Sequence, residues 1–149
     1  MKKLETRFGE VEYDEAQLLH FSTGLIGLPN LHDFIVMPNK KEGPLFWIQS
    51  VDDPQMAFVL TDPTNFFLEY RVIPEKEDRE LLQIEEGDNC LALVVVTVPP
   101  DLNITLNMAA PILYSPEKNR AIQTILDETT STWQTRTPLP VFDNAAETA

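Results

Sequence analysis

The chain has 149 residues, 43% of them hydrophobic, which suits one domain with its own core and leaves no room for several. Its 24 acidic residues against 11 basic ones give a formal net charge of −13, the wrong sign for direct nucleic-acid binding, which relies on lysines and arginines that displace counterions. A single cysteine excludes an internal disulfide and a cysteine metal cage.

Lys3 to Tyr13 reads as two short strands meeting near Gly9. Gln17 to Ser22 reads as a third, with Leu18, His20 and Ser22 opposite Leu19 and Phe21. The N-terminal MKKLETRFGEVEYDE carries two lysines with no apolar stretch behind them, which argues against a secretory signal. The segment Gly24-Leu-Ile-Gly27-Leu-Pro29 is a punctuated connection leading to a strand at Phe34 to Met37, and Lys40 to Pro44 reads as a polar loop.

Two apolar strands follow, Leu45 to Ser50 and Met56 to Thr61, separated by the acidic turn Asp52-Asp53-Pro54. Met56, Phe58 and Leu60 alternate with Ala57, Val59 and Thr61, the period of a strand with one large-residue face. Asp62-Pro63 makes a second turn before Phe66, Phe67 and Tyr70.

Pro74 to Ile84 is the clearest helix, with Glu75, Glu77 and Asp78 in the turn where the helix dipole favours anions and Gly87 expected to stop it. Cys90 to Val98 is apolar on both faces, as in a central strand covered on both sides. Its apolar run falls far short of the roughly 20 residues that span a bilayer, so no membrane association is expected. Ile104 to Met108 alternates as a half-buried strand and Ile112 to Tyr114 resumes after Pro111; Ala121 to Leu126 fits either a strand, the favoured reading, or a helix end.

These elements add up to a mainly β, compact antiparallel barrel-like domain with one or two short helices, spanning residues 1–137. The tail from 138 to 149, with prolines, small residues and acids, is expected to be flexible.

Little in the chain promises catalysis. His20, within a strand, reads as structural, and His32, in a turn beside Asp33, is expected to be exposed. Cys90 has no basic neighbours in sequence, so its thiol should stay protonated and inert. Adjacent carboxylates such as Asp52-Asp53 point to opposite faces of a strand, and phosphate loop, dinucleotide, HExxH and GxSxG motifs are absent. Neither an enzyme nor a cofactor is expected.

Three stretches carry a resemblance: Phe21-Ser-Thr-Gly24-Leu25-Ile-Gly27-Leu28; Trp47-Ile-Gln49-Ser50-Val-Asp52-Asp53-Pro54-Gln-Met-Ala57-Phe58; and Val94-Val-Val-Thr97-Val98-Pro99 leading to Thr105-Leu106-Asn107-Met108-Ala-Ala110-Pro111-Ile112. In this order, over roughly Leu4 to Arg136, the chain resembles the flagellar assembly factor FliW family. It departs from the family's pattern between Tyr114 and Ala121 and in carrying Trp133 ahead of Arg136. The resemblance implies a cytoplasmic, β-rich binding protein with two partners, flagellin and the RNA-binding regulator CsrA. Release from flagellin would free it to antagonise CsrA and permit flagellin synthesis; a flagellin chaperone or scaffold without a translational role is the alternative. A body of charge −13 beside an RNA-binding protein would lower the potential that attracts phosphates.

The candidate partner-binding residues are Asp52, Asp53, Phe66, Phe67, Glu69, Tyr70 and Asn107. Asp52 and Asp53 are turn formers or acids that meet basic residues on CsrA. Phe66 and Phe67, if on a strand, point to opposite faces, which turns one of them outward beside Asp62 and Glu69. That composition suits a basic, partly apolar peptide or helix. Asn107 serves either as an exposed hydrogen-bonding group or in pairing within the sheet. Phe46, Trp47 and Phe58 read chiefly as core.

Overall fold

A computed structural model describes residues 1–38, 44–101, 103–127 and 131–139. The expected polar loop at 40–44 and the expected tail at 138–149 lie almost wholly outside these residues, with Pro44 and the stretch 138–139 the described exceptions.

The chain opens with a hairpin of β1 (Lys2–Thr6) and β2 (Gly9–Tyr13). Gly9 supplies the positive φ of 93° that the tight turn needs. There follow β3 (Leu19–Phe21), β4 (Asp33–Pro38), β5 (Leu45–Ser50) and β6 (Ala57–Thr61), then helix α1 (Lys76–Leu82) and β7 (Leu91–Thr97). The last are β8 (Thr105–Leu106), β9 (Ile112–Ser115), β10 (Arg120–Gln123) and β11 (Thr137–Pro138).

Strands β7-β6-β5-β4-β3-β10-β9 are paired in that order and β9 pairs back to β7, which closes a barrel and removes its open edges. The antiparallel expectation holds for every pair except β3 with β10, which run parallel. β8 and β11 extend the sheet beside β7. The stretch between Tyr114 and Ala121 is the β9–β10 hairpin, turned by Asn119 at φ 52° and by Ser115 Oγ accepting from Lys118 N at 3.2 Å.

Period-two patterning splits the apolar residues into an inside and an outside. Leu19, Phe21, Phe34, Ile48, Leu60, Leu93 and Ile112 fill the barrel, with Phe46, Met56 and Phe58 packed against them. Val94 and Val96, on the other face of β7, join Tyr70, Leu106 and Met108 in a second cluster outside the wall. Both faces of the middle of β7, Leu93 to Val96, are thus covered, while Leu91 and Thr97 at its ends are exposed. A third cluster seats Leu82 and Ile84 of the helix region on Leu113 and Ile122.

Three expectations need correcting. Trp47 is not core: its β5 neighbours Phe46 and Ile48 point inward, so Trp47 faces out and packs edge-on against Phe8 of the hairpin, ring centroids 5.0 Å apart. Gly87 does not end the helix. Gln83 does, in the left-handed region at φ 63°, with its N–H and that of Ile84 returning to Glu80 O and Arg79 O. His32 is half-buried rather than exposed, its Nδ1 donating to Phe21 O at 2.7 Å and its ring stacked on His20, which in turn bonds Asp33 Oδ1 at 2.9 Å.

Candidate partner-binding surface

Strand direction decides what meets at one end of the barrel. β3, β5 and β10 finish there and β4, β6 and β9 begin there, which brings together the loop 22–32, the turn 51–56 and the stretches around Asn107 and Thr124.

The loop is held shut by reciprocal bonds between Leu25 and Leu28, N–H to O at 3.2 and 2.8 Å. Leu25 and Leu31 plug the barrel, and Ile26, between them in the turn, is left half exposed. Gln123 of β10 clamps this loop to the turn before β9: its Oε1 accepts from Ile26 N at 2.9 Å and its Nε2 donates to Ala110 O at 3.0 Å. Beside that clamp lies an open cleft of about 490 Å³ lined by Ile26, Asn107, Ala110, Gln123, Ile125 and Trp133, among others. A second cleft of about 520 Å³ adjoins it, sharing Ile125, Leu126, Ser131 and Trp133 and adding Arg71, Ile73, Glu75, Asp78 and Asp127.

Trp133 is the common wall. Its ring meets Phe67 and Tyr70 edge-on, at centroid distances of 5.3 and 5.1 Å, a geometry worth about 0.5–1.5 kcal/mol per pair beyond the area buried. Tyr70 is itself fixed from below, its hydroxyl donating to Met108 O at 2.8 Å. Burial holds the Tyr70 phenol well above its ordinary pKa.

The expected site residues therefore fall into separate roles. Tyr70 is only 4% exposed, so it offers a partner no ring face and acts instead as the support of Trp133. Phe66 and Phe67 do not lie on a strand. They follow a short 3-10 turn at Pro63–Asn65, and both pack against the cluster outside β7. The side chain that this turn pushes outward is Leu68, 89% exposed, beside exposed Glu69. Asn107 lines the cleft and accepts from Ala110 N at 3.2 Å. Asp52 and Asp53 are exposed and both shape local backbone: Asp52 Oδ2 accepts from His32 N and Asp33 N at 2.8 and 3.0 Å, and Asp53 Oδ1 from Gln55 N at 3.1 Å.

Sequence reasoning missed Ile26 and Ile125 as surface residues and gave Trp133 no role. Isolated isoleucines in a loop and at a strand end carry no periodic signal. Trp133 stands among polar residues, a lone large aromatic in TSTWQTRT, and that contrast was the available clue. Cys90 is set apart from this surface: burial pushes its thiol pKa up, opposed in part by the backbone at Tyr114. Among the described residues no helix is long and apolar enough to cross a membrane.

The comparisons with known proteins agree with this architecture. The family model described as FliW protein matches residues 2–139. The chain is 59% identical over 139 residues to the flagellar assembly factor FliW of Syntrophotalea carbinolica, covering 93% of this chain and 98% of that one. It is likewise 59% identical over 140 residues to flagellar assembly factor FliW 2 of Desulfotalea psychrophila, covering 94% and 91%. A crystal structure of the flagellar assembly factor FliW superposes with a TM-score of 0.83 at 28% identity, covering 95% of this chain and 99% of the other. With the family model matching nearly the whole chain and the fold shared with a solved member, the chain belongs to the FliW family of flagellar assembly factors.

Proposed function

We propose that this protein is a cytoplasmic, non-enzymatic regulator of flagellar assembly that binds flagellin and CsrA in alternation. While flagellin is abundant it occupies the protein; once flagellin is exported, the freed protein binds CsrA and lifts its repression of flagellin synthesis. The observation that carries the reading is family membership over residues 2–139. The charge of −13 adds to it: an acidic body docked on an RNA-binding protein weakens the local attraction for phosphates without touching RNA itself. In this reading Asp52, Asp53, Glu69 and Asn107 contact partners directly, and Phe66, Phe67 and Tyr70 act through the surface they support.

Titration calorimetry of the purified protein against CsrA and against flagellin tests the reading. It predicts one-to-one binding to each, with the CsrA arm weakening as salt rises. Absence of binding to both partners overturns it. The alternative, a flagellin chaperone without a translational role, is separated by a reporter fused to the flagellin leader: the regulator raises reporter output, and the chaperone leaves it unchanged.

A further inference from the structure

Gln49 is at odds with the rule that buried polar groups are paired. It is fully buried on β5, between Ile35 and Ala57 in the ladder, and its Oε1 has no hydrogen-bond partner among the described residues. An amide oxygen left unpaired in such a setting costs stability, and an apolar side chain would avoid that cost. Groups that break a local rule in this way are expected where function needs them.

The other end of the amide shows what the residue does. Its Nε2 donates to Ser50 O at 2.9 Å, to Pro54 O at 2.9 Å and to Met56 O at 3.2 Å, which places the amide inside the turn 51–56. Turning the amide over would set Oε1 against three carbonyl oxygens, so the donor end must face them. Ser50, also fully buried, adds a second internal tie, its Oγ accepting from Asp53 N at 2.9 Å. Met56 N closes the turn on Asp53 O, again at 2.9 Å.

Asp52 and Asp53 are exposed on the outer side of this turn. Each spends one carboxylate oxygen on backbone, Asp52 Oδ2 on His32 N and Asp33 N, and Asp53 Oδ1 on Gln55 N. Among the described residues their other oxygens bond nothing, and neither acid belongs to an ion pair. Carboxylates fixed in place before binding lose less freedom on meeting a cation than carboxylates on a loose loop.

We propose that Gln49 is a positioning residue for partner binding. From beneath the turn it fixes where Asp52 and Asp53 hold their unbonded oxygens, and so sets the affinity for a cationic side chain of the partner, a guanidinium or an ammonium. The proposal rests on the proposed function, in which these two acids contact CsrA.

Three variants of the full chain test it. Gln49→Met keeps the side-chain length and removes the donors, Ser50→Ala removes the second tie alone, and the Asp52→Asn/Asp53→Asn pair removes the charges. Amide hydrogen exchange at Asp53 and Met56 should quicken about tenfold or more in Gln49→Met, while Leu60 and Val94 in the barrel wall stay slow. Titrations with CsrA at several salt concentrations give the second readout. Gln49→Met should weaken binding about tenfold at low salt and flatten its salt dependence to that of the Asp52→Asn/Asp53→Asn pair. Added to that pair, it should weaken binding no further. Ser50→Ala should act in the same direction and less strongly, which keeps the test decisive if Gln49→Met does not fold. A loss equal at every salt concentration, a loss additive with charge removal, or unchanged exchange in the turn makes Gln49 a structural residue only and overturns the proposal. If the native chain binds no CsrA at any salt concentration, the proposed function falls and takes the affinity claim with it. If it binds and Gln49→Met binds equally well, this proposal falls alone.

Discussion

The Tyr70 hydroxyl donates to Met108 O across 2.8 Å, joining the segment after β6 to the strand region beside β7 and fixing the ring on which Trp133 leans. Both residues are buried. Tyr70→Phe keeps the ring and strands the carbonyl, which should cost about 1–2 kcal/mol. Urea unfolding of the two proteins measures it, and an unchanged midpoint would mean that the bond contributes nothing.

The same residue should make stability depend on alkaline pH. Burial raises the folded phenol pKa above the value of about 10 it has when unfolded. The neutral form is therefore favoured by folding, its contribution is complete below about pH 10, and it is lost as pH climbs through and beyond that value. Unfolding free energies measured between about pH 8 and about pH 11 should fall more steeply for the native chain than for Tyr70→Phe.

Gly24 and Gly27 share a loop and differ sharply in tolerance. A Cβ on Gly24, at φ +71°, would stand 2.7 Å from Leu28 O, Pro29 Cα and Pro29 O, whereas one on Gly27, at φ +84°, meets nothing within 4 Å. Gly24→Ala combines left-handed strain with a backbone clash and should cost at least about 2 kcal/mol. Gly27→Ala carries the strain alone, about 1 kcal/mol. Thermal melts of both variants check the order, and equal losses would contradict it.

Asp52 has two separable roles. Its carboxylate accepts from His32 N and Asp33 N, and its charge faces solvent. Asp52→Asn can keep an acceptor and removes the charge, so stability should hardly change while CsrA affinity at low salt declines. Asp52→Ala loses the acceptor as well and should also destabilise the fold by about 1–2 kcal/mol. Chemical denaturation beside a CsrA titration distinguishes the two effects.

Much of the fold was legible because period-two alternation reports burial directly. Met56, Phe58 and Leu60 read as one face and do pack on the barrel interior; Cys90 to Val98 read as covered on both sides, which holds for the middle, Leu93 to Val96, while Leu91 and Val98 at the ends are exposed. One error arises because alternation gives two faces without saying which is inside. Trp47 was assigned inward although Phe46 and Ile48 occupy that face. Phe66 and Phe67 were read as strand, but Asp62 caps a 3-10 turn through Thr64 N, and the turn bends both rings toward β7. Gln83 in a left-handed conformation has no sequence signature comparable with glycine. The parallel β3–β10 pair joins residues about 100 positions apart and is a property of barrel closure, not of any local pattern.

The central claim is that one protein serves two partners in turn, and competition tests it most directly. Fluorescently labelled CsrA is bound to the protein, flagellin is added in steps, and anisotropy follows the release of CsrA. The account predicts full displacement at an excess of flagellin, with no species containing all three proteins on size exclusion. A stable ternary complex, or CsrA that stays bound at saturating flagellin, would contradict it.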